Sequence, residues 1–270
     1  MKIALTSMDI QWEDKSVNRE KCEELIKRAS DSGARLILFP EMTLTGFTMN
    51  IETCGEAPAA DVFSETTQFF LEKSREYDMA VGFGYITREE HAAKGKNHFA
   101  ICDRGKLLGD YEKIHPFSYG KEKLFYEGGN QLASVDIDGM KLGMFICYDL
   151  RFPEIFQKSS EENLVIAIIA NWPKRRVGHW KCLLQARAIE NQSVILGVNR
   201  KGSGDGLEYE ESTMAFDCDG EQMAVETIVT SYGDECLLCD VDTKEILEKR
   251  KEFPVKQDRK KQLYKSFYEE

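Results

Sequence analysis

Short apolar segments alternate with amphipathic segments along most of the chain. Residues 2–8 and 35–39 are strand-like apolar runs, and between them apolar residues recur at the three-and-four spacing of one helix face, which Gly33 ends. The same order of strand, helix and strand begins again near residue 141. Apolar strands that alternate with helices are typical of an α/β protein whose helices cover its sheets. The two similar units indicate an architecture of two halves.

The rest of the pattern predicts the remaining elements. Helices are expected at 61–77, 153–159, 178–191 and from Asp242, where Glu245 completes a capping box. Strands are expected at 79–86, 97–103, 106–112, 132–137, 141–146, 164–169, 193–199, 211–217, 221–228 and 235–241. Asp138-Gly139 and Asp219-Gly220 are the turns that would join consecutive strands. A polar and aromatic stretch at 113–131 interrupts the pattern.

Length and charge narrow the class of protein. The 270 residues approach the limit of about 250–300 at which a single core usually divides, so one large domain over 1–248 with a tail at 249–270 is predicted. We expect the tail to pack on the domain or at a dimer interface. A net charge of −11 repels nucleic acid and anionic membranes, so neither is an expected partner. The basic residues of 256–261 are predicted to form a solvated face.

The first residues lack the apolar core of a signal peptide, and no apolar run approaches the ~20 residues of a membrane span. Eight cysteines in such a chain favour free thiols in a reducing cytoplasm. Cys236 and Cys239 form one CxxC pair without a second, and the four histidines are scattered, so no metal site is expected. The glycines form no nucleotide-binding motif, and we predict no cofactor.

Several reactive side chains follow predicted strands. Glu41, Cys147 and Asn171 each come at the end of an apolar run, and Lys113 follows the strand at 106–112. Ligands of α/β sheets gather at such carboxyl ends. Taken singly, a cysteine here is usually an inert core thiol and the lysine is usually solvated. A Cys–His pair with His115 or His179 as the base also remains open.

Three motifs together resemble the nitrilase superfamily of carbon–nitrogen hydrolases. They are PEMTLTGF, YEKIHPF and GMFICYDLRFPE, and the similarity extends from residue 3 to about residue 246. The resemblance implies a four-layer α-β-β-α sandwich. It also implies a homodimer, because members of the family usually pair. The catalytic residues that it implies are Glu41, Lys113, Cys147 and, within SYGKEKLF, Glu122.

The implied chemistry suits these residue types. Cys147 would attack an amide carbonyl and form a thioester, while Glu41 would move the protons. Lys113 and the backbone N–H of Tyr148 would stabilise the oxyanion, a contact worth about 2.7–4 kcal/mol in comparable sites. Glu122 would orient Lys113 or contact the departing ammonia.

Within the superfamily, the chain is most similar to the omega-amidase branch. The resemblance rests on ANWPKRRVGHWKCLLQARAIENQ, CYDLRFPE, FPVKQD and Met49 in GFTMN. This branch hydrolyses the terminal amide of 2-oxo dicarboxylate monoamides. Arg176 matches an arginine of the branch and would bind the substrate carboxylate, with Lys174 and Arg175 as alternatives. Other residues expected to line the acyl pocket are Phe117, Tyr119, Trp172 and Met49.

Other functions remain open at this point. Pro116 and Ser118 depart from the usual loop after Lys113, which bears on the identity of the substrate. One alternative is an N-carbamoyl amino-acid hydrolase or another aliphatic amidase that uses the same triad. A protein of another class, a catalytically silent binding module, would use the same fold. The presence of all four catalytic residue types argues against it.

Overall fold

The structure, a computed structural model, describes residues 1–57 and 63–267. Its strands are β1 (Lys2–Ser7), β2 (Leu36–Leu38), β3 (Ala80–Thr87), β4 (Gly95–Asp103), β5 (Lys106–Glu112), β6 (Tyr126–Glu127), β7 (Ala133–Ile137), β8 (Met140–Ile146), β9 (Val165–Ala170), β10 (Val194–Asn199), β11 (Gly202–Gly204), β12 (Leu207–Tyr209), β13 (Met214–Phe216), β14 (Glu226–Val229) and β15 (Glu235–Asp240). Its α-helices are α1 (Lys15–Asp31), α2 (Ile51–Cys54), α3 (Glu65–Glu76), α4 (Glu122–Phe125), α5 (Pro153–Ser159), α6 (Val177–Asn191), α7 (Thr243–Glu252) and α8 (Lys261–Ser266). None of the helices in the described ranges is long and apolar enough to cross a membrane.

The strands form two main sheets. In the first sheet the order is β14-β15-β1-β2-β3-β4-β5, with β6 beside β4, and β1, β2 and β3 run parallel. In the second sheet the order is β13-β10-β9-β8-β7, and β8, β9 and β10 run parallel. Each sheet therefore has a parallel centre, built from one of the two units that the sequence repeats, and antiparallel edges.

Side-chain alternation assigns the two faces of each sheet. In β1, Ala4 packs in a cluster with residues of α1 and α3, whereas Ile3 and Leu5 belong to the cluster that contains the second sheet. Residues of α5 and α6 pack on the second sheet, with Trp180 fully buried. The arrangement is the four-layer α-β-β-α sandwich that the resemblance to the nitrilase superfamily implied.

Three expectations need correction or completion. The strands on either side of Asp219-Gly220 do not form one hairpin: β13 pairs with β10 and β14 with β15, in different sheets, and only an isolated bridge between Phe216 and Gln222 joins the two sides of the turn. The hairpin of β11 and β12 was missed because its GSGDG segment carries no strand-like apolar pattern. Helix α3 begins at Glu65, after the N-cap Ser64. The start predicted for it at 61–62 lies outside the described residues.

The basic residues of 256–261 do not form a purely solvated face. Lys256 donates to the carbonyl of Ser160, and Arg259 donates to that of Glu190 at 3.2 Å. These carbonyls lie at the ends of α5 and α6, where the last C=O groups have no partner within the helix and attract cations. The prediction of a solvated face is therefore wrong for these two side chains.

Gly84 connects the fold to the segment that carries Glu41. The backbone of Gly84 exchanges two hydrogen bonds of 2.9 Å with Thr43, through the Thr43 N–H and hydroxyl oxygen. A Cβ on Gly84 would overlap the backbone nitrogen of Met42 and lie 2.8 Å from the Cα of Glu41. Only glycine lets β3 approach this backbone so closely.

We expect Gly84→Ala to lower stability and activity together. Overpacking against backbone typically costs about 1–3 kcal/mol, and the displaced segment is the one that positions Glu41. Denaturant unfolding and kcat measure the two effects. The control is Gly178→Ala on the exposed start of α6, where a Cβ meets nothing within 4 Å and which is expected to be neutral or slightly stabilising. Equal behaviour of the two variants would contradict the prediction.

Candidate active site

Glu41 lies two residues beyond Phe39, which follows β2, and its side chain is fully buried. One carboxylate oxygen, Oε1, accepts from Lys113 Nζ and from Asn97 Nδ2, both at 2.8 Å. The other oxygen, Oε2, accepts from the backbone N–H of Asn171 at 2.9 Å. Since Asn171 follows β9 of the second sheet, Glu41 links the carboxyl ends of strands in both sheets.

Lys113 follows β5 and is completely enclosed, as is Glu122 at the start of α4. Its Nζ lies 3.0 and 2.9 Å from the two carboxylate oxygens of Glu122. The Asn97 amide also donates to Glu122 at 3.0 Å, so that amide bridges the two buried carboxylates. The N–H of Phe117 donates to Glu122 at 2.6 Å and ties the loop after Lys113 to the same group.

The charges of Glu41, Lys113 and Glu122 act on one another strongly because all three side chains are fully buried. Burial alone would lower the pKa of Lys113, but Glu122 and Glu41 outweigh it and raise that pKa well above its usual value. Burial raises the pKa of Glu122, an effect that Lys113 opposes and Glu41 reinforces. The lysine is therefore held as an ammonium ion between the two carboxyl groups.

Cys147 follows β8 and occupies the first position of a 3-10 turn, Cys147–Arg151. Its φ of 46° lies in the left-handed region, which is strained for a residue with a Cβ and is often found at functional sites. Burial and the charge of Glu41 raise the pKa of its thiol well above the usual value, although Lys113 opposes this. The resting group is a thiol, so its reaction as a nucleophile requires a base.

Asp149 holds the strained turn to the segment that carries Lys113. The carboxylate is fully buried and accepts from the N–H of Ile146 at 3.1 Å and from the hydroxyl of Tyr111 at 2.8 Å. It also accepts from the N–H of His115 at 3.0 Å, while Nδ1 of that ring lies 2.8 Å away. Residues on both sides of Lys113 and the residue before Cys147 thus share one acceptor.

The two histidines considered as bases are engaged elsewhere. His115 contacts Asp149, as described, and stacks on Phe152 with ring centroids 3.8 Å apart. Nδ1 of His179 lies 3.4 Å from Arg151 on the protein surface. The charged groups that act on Cys147 are instead Glu41, Lys113 and Glu122. These contacts of His115 and His179 do not support a Cys–His pair.

A cavity of about 260 Å³ opens onto Cys147. This volume is just below the range of about 300–1,000 Å³ that is common for ligand pockets, so it suits a small molecule. The predicted pocket residues Met49, Phe117, Tyr148 and Trp172 all line it, together with Phe47, Leu207 and Tyr209, which sequence reasoning missed. Tyr119 also lines it, on the exposed rim.

Several cations line this cavity. Arg175 and Arg176 line it, whereas Lys174 does not and pairs with Glu208 at 3.3 Å. Arg176 is half-buried, with its guanidinium 5.2 Å from the centroid of Phe117, while Arg175 is exposed. Of the three candidates for binding a carboxylate, Arg176 is therefore the most enclosed within the cavity. Arg151 also lines the cavity and was not predicted.

Sequence reasoning missed the residues that hold the cluster together. Asn97 lies inside β4, and nothing in the local pattern distinguishes it from a core polar residue. Asp149 and Arg151 lie within the CYDLR segment, so the motif contained them without indicating their partners. No group of histidine, cysteine and carboxylate side chains able to hold a metal occurs at 1–57 or 63–267.

The family model for carbon–nitrogen hydrolases matches residues 2–232. The chain belongs to the carbon–nitrogen hydrolase family. It is 30% identical over 265 residues to a 2-oxoglutaramate amidase of Bacillus subtilis, covering 97% of this chain and 98% of the relative. It is 29% identical over 261 residues to the omega-amidase YafV of Escherichia coli K12, covering 96% of each. This carbon–nitrogen hydrolase is thus an amidase, similar to the omega-amidase branch.

Solved structures agree with the fold of this carbon–nitrogen hydrolase. The carbon–nitrogen hydrolase superfamily protein XC1258 of Xanthomonas campestris, with an arsenic adduct in its active site, superposes with a TM-score of 0.83 at 26% identity, covering 96% of this chain and 97% of that one. An amidase of Nesterenkonia from the nitrilase superfamily superposes with a TM-score of 0.84 at 21% identity, covering 99% and 97%. Because the identity to the Nesterenkonia amidase is only 21%, its similarity is evidence for the fold alone.

We expect Asp149→Asn to lower kcat about 10- to 100-fold with little change in KM. The amide NH2 of the new asparagine would face the N–H and O–H groups that now donate to the Asp149 carboxylate. Hydrogen bonds to a charged group are worth about 1.5–3 kcal/mol. Steady-state kinetics separates the two constants, and thermal unfolding reports any general loss of structure. Tyr111→Phe removes a single donor and is expected to have a smaller effect. An unchanged kcat in a folded Asp149→Asn protein would contradict a positioning role.

Proposed function

We propose that this amidase hydrolyses the terminal amide of a 2-oxo dicarboxylate monoamide through a thioester on Cys147. The observation that carries the proposal is the buried cluster of Glu41, Lys113 and Glu122, whose charges act on Cys147, a cysteine that lines a small cavity. That cluster supplies a base, a cation and a nucleophile, which are the groups that amide cleavage requires.

In the acylation step, the sulfur of Cys147 bonds to the amide carbon while Glu41 takes the thiol proton. The carbonyl becomes an oxyanion, which Lys113 and the N–H of Tyr148 stabilise. The carbon–nitrogen bond then breaks, and Glu41 returns the proton to the nitrogen, so that ammonia leaves. Because Lys113 is already held as an ammonium by two carboxylates, it adds positive charge without a prior proton transfer.

In the deacylation step, water attacks the thioester. Glu41 removes a proton from the water as its oxygen bonds to the acyl carbon, and the same carboxyl group returns that proton to the sulfur. The products are the free acid and the regenerated thiol. Glu122 keeps Lys113 in place through both steps, because it accepts two hydrogen bonds from it.

The substrate class is inferred from the relatives and from the charge of the cavity. The two relatives described above are named as a 2-oxoglutaramate amidase and an omega-amidase. In a protein of net charge −11, an anionic substrate requires local cations, and Arg176 is half-buried at the cavity. A guanidinium can hold a carboxylate through two parallel hydrogen bonds.

Ammonia release from a panel of small amides tests this function. We expect 2-oxoglutaramate to give the highest kcat/KM, ahead of butyramide and of an N-carbamoyl amino acid, whose hydrolysis would also release carbon dioxide. Cys147→Ala is expected to abolish ammonia release while keeping the same unfolding transition as the parent protein. Mass spectrometry should locate the acyl adduct of the parent protein on Cys147. An adduct on exposed Cys182, or activity in Cys147→Ala, would contradict the mechanism.

We expect Arg176→Met to lower kcat/KM for 2-oxoglutaramate about 10- to 100-fold. This is the usual effect of losing one hydrogen bond to a charged group. The activity toward butyramide should change much less, because that amide has no carboxylate. Lys174→Met is the matched control, since this cation pairs with Glu208 outside the cavity. Equal losses for both amides would make Arg176 structural, and no loss for either would place the carboxylate elsewhere.

A homodimer and a cytoplasmic location are inferences that rest on the resemblance and on the cysteines. Ile189, Leu247 and Phe253, on α6, on α7 and just after α7, are exposed apolar side chains of the kind that a partner subunit covers. All eight cysteines are free, which suits a reducing compartment. Sedimentation of the purified protein measures its oligomeric state, and a monomer at micromolar concentration would contradict the homodimer.

A further inference from the structure

Arg151 is a second cation in the cavity, and the mechanism described above does not use it. It ends the 3-10 turn that begins at Cys147. Its guanidinium lies 4.9 Å from the centroid of a Trp172 ring and 6.0 Å from that of Tyr148, two residues that line the cavity. Arginine stacked on aromatic rings is held in one orientation while its N–H groups stay available.

The two half-buried arginines of the cavity, Arg151 and Arg176, carry no counter-charge from the described residues. Among residues 1–57 and 63–267, neither Arg151 nor Arg176 has a carboxylate within 4.0 Å. The polar contact of Arg151 there is with the His179 ring at 3.4 Å, and the carboxylate on the cavity lining is that of exposed Asp205. Burial and the charges of Arg175 and Arg151 lower the pKa of Arg176, as expected for like charges that share an enclosure.

The half-buried guanidinium groups of Arg151 and Arg176, with exposed Arg175 on the same lining, are complementary to a ligand end that carries only acceptors. A 2-oxo acid is such a group, because its carboxylate and its adjacent ketone oxygen accept hydrogen bonds and donate none. The corresponding 2-amino acid has an ammonium group in place of the ketone. That ammonium would face two like charges and leave guanidinium N–H groups unpaired.

We propose that Arg151, together with Arg176, binds the 2-oxo acid end of the substrate and makes the enzyme select a 2-oxo amide over the corresponding 2-amino amide. This inference rests on the proposed function and extends it from the amide that is cleaved to the opposite end of the molecule. Arg151 is then a specificity residue. It affects the chemistry at Cys147 only through the placement of the substrate.

The experiment compares kcat/KM for 2-oxoglutaramate, L-glutamine and butyramide in the parent protein and in Arg151→Met. In the parent we expect 2-oxoglutaramate to be strongly preferred over glutamine. Arg151→Met should lower kcat/KM for 2-oxoglutaramate about 10- to 100-fold, the usual effect of one hydrogen bond to a charged group. It should leave the value for butyramide nearly unchanged, and the preference over glutamine should fall at least tenfold.

Two further variants separate charge from structure. Arg151→Lys keeps a cation on a flexible stem and should restore part of the preference over glutamine. Lys174→Met removes a cation bound to Glu208 outside the cavity and should leave that preference unchanged. Recovery in the first variant and constancy in the second would support the role of the charge of Arg151.

The contrary results are distinct from one another. A parent protein that does not hydrolyse 2-oxoglutaramate would overturn the proposed function and this inference with it. A parent that does so, while Arg151→Met keeps the preference over glutamine, would overturn this inference alone. A loss in Arg151→Met that is equal for all three amides would also overturn it, because Arg151 would then only support the turn at Cys147.

Discussion

A single buried ammonium group, that of Lys113, keeps the site of this amidase together. It lies within 3.0 Å of carboxylate oxygens of both Glu41 and Glu122, and all three side chains are fully buried. Two carboxylates could not remain close and charged there without it, since like charges at low dielectric repel strongly and burial favours the neutral form. The ion cluster therefore defines the positions of the proposed base and the proposed oxyanion donor at once.

The cluster also joins the two halves of the molecule. Glu41 follows a strand of the first sheet and accepts from the N–H of Asn171, which follows a strand of the second. Asp149 connects the turn after β8 to the segment after β5. Each contact is between the carboxyl ends of strands, where the backbone leaves regular pairing. Shifting one sheet against the other would break these contacts. Catalytic geometry and sheet packing are therefore coupled, as the close approach of Gly84 to Glu41 also indicates.

In the proposed mechanism, the charge that takes part in the chemistry is separate from the charges that select the substrate. Lys113 is neutralised within the cluster, so it adds little net attraction for an anion at the cavity. Arg151 and Arg176 lie at the cavity itself, where no carboxylate of the described residues pairs with them, in a chain of net charge −11. Because the surrounding field is negative, local cations such as these make the cavity favourable for an acidic ligand.

The sequence by itself determined the layers of the fold and the chemistry-bearing residues. Strand alternation and the repeated strand–helix–strand units indicated an α/β protein of two halves. The four-layer sandwich and the roles of Glu41, Lys113 and Cys147 were implied by the resemblance of three motifs to a known family, and these motifs are local in the chain. Only the tertiary structure decided their partners. Asn97 contacts Glu41 from 56 residues away, and Arg151 meets Trp172 across two strand ends. Such contacts depend on how the sheets stack, which no local pattern encodes. For the same reason β13 and β14, although close in the chain, belong to different sheets.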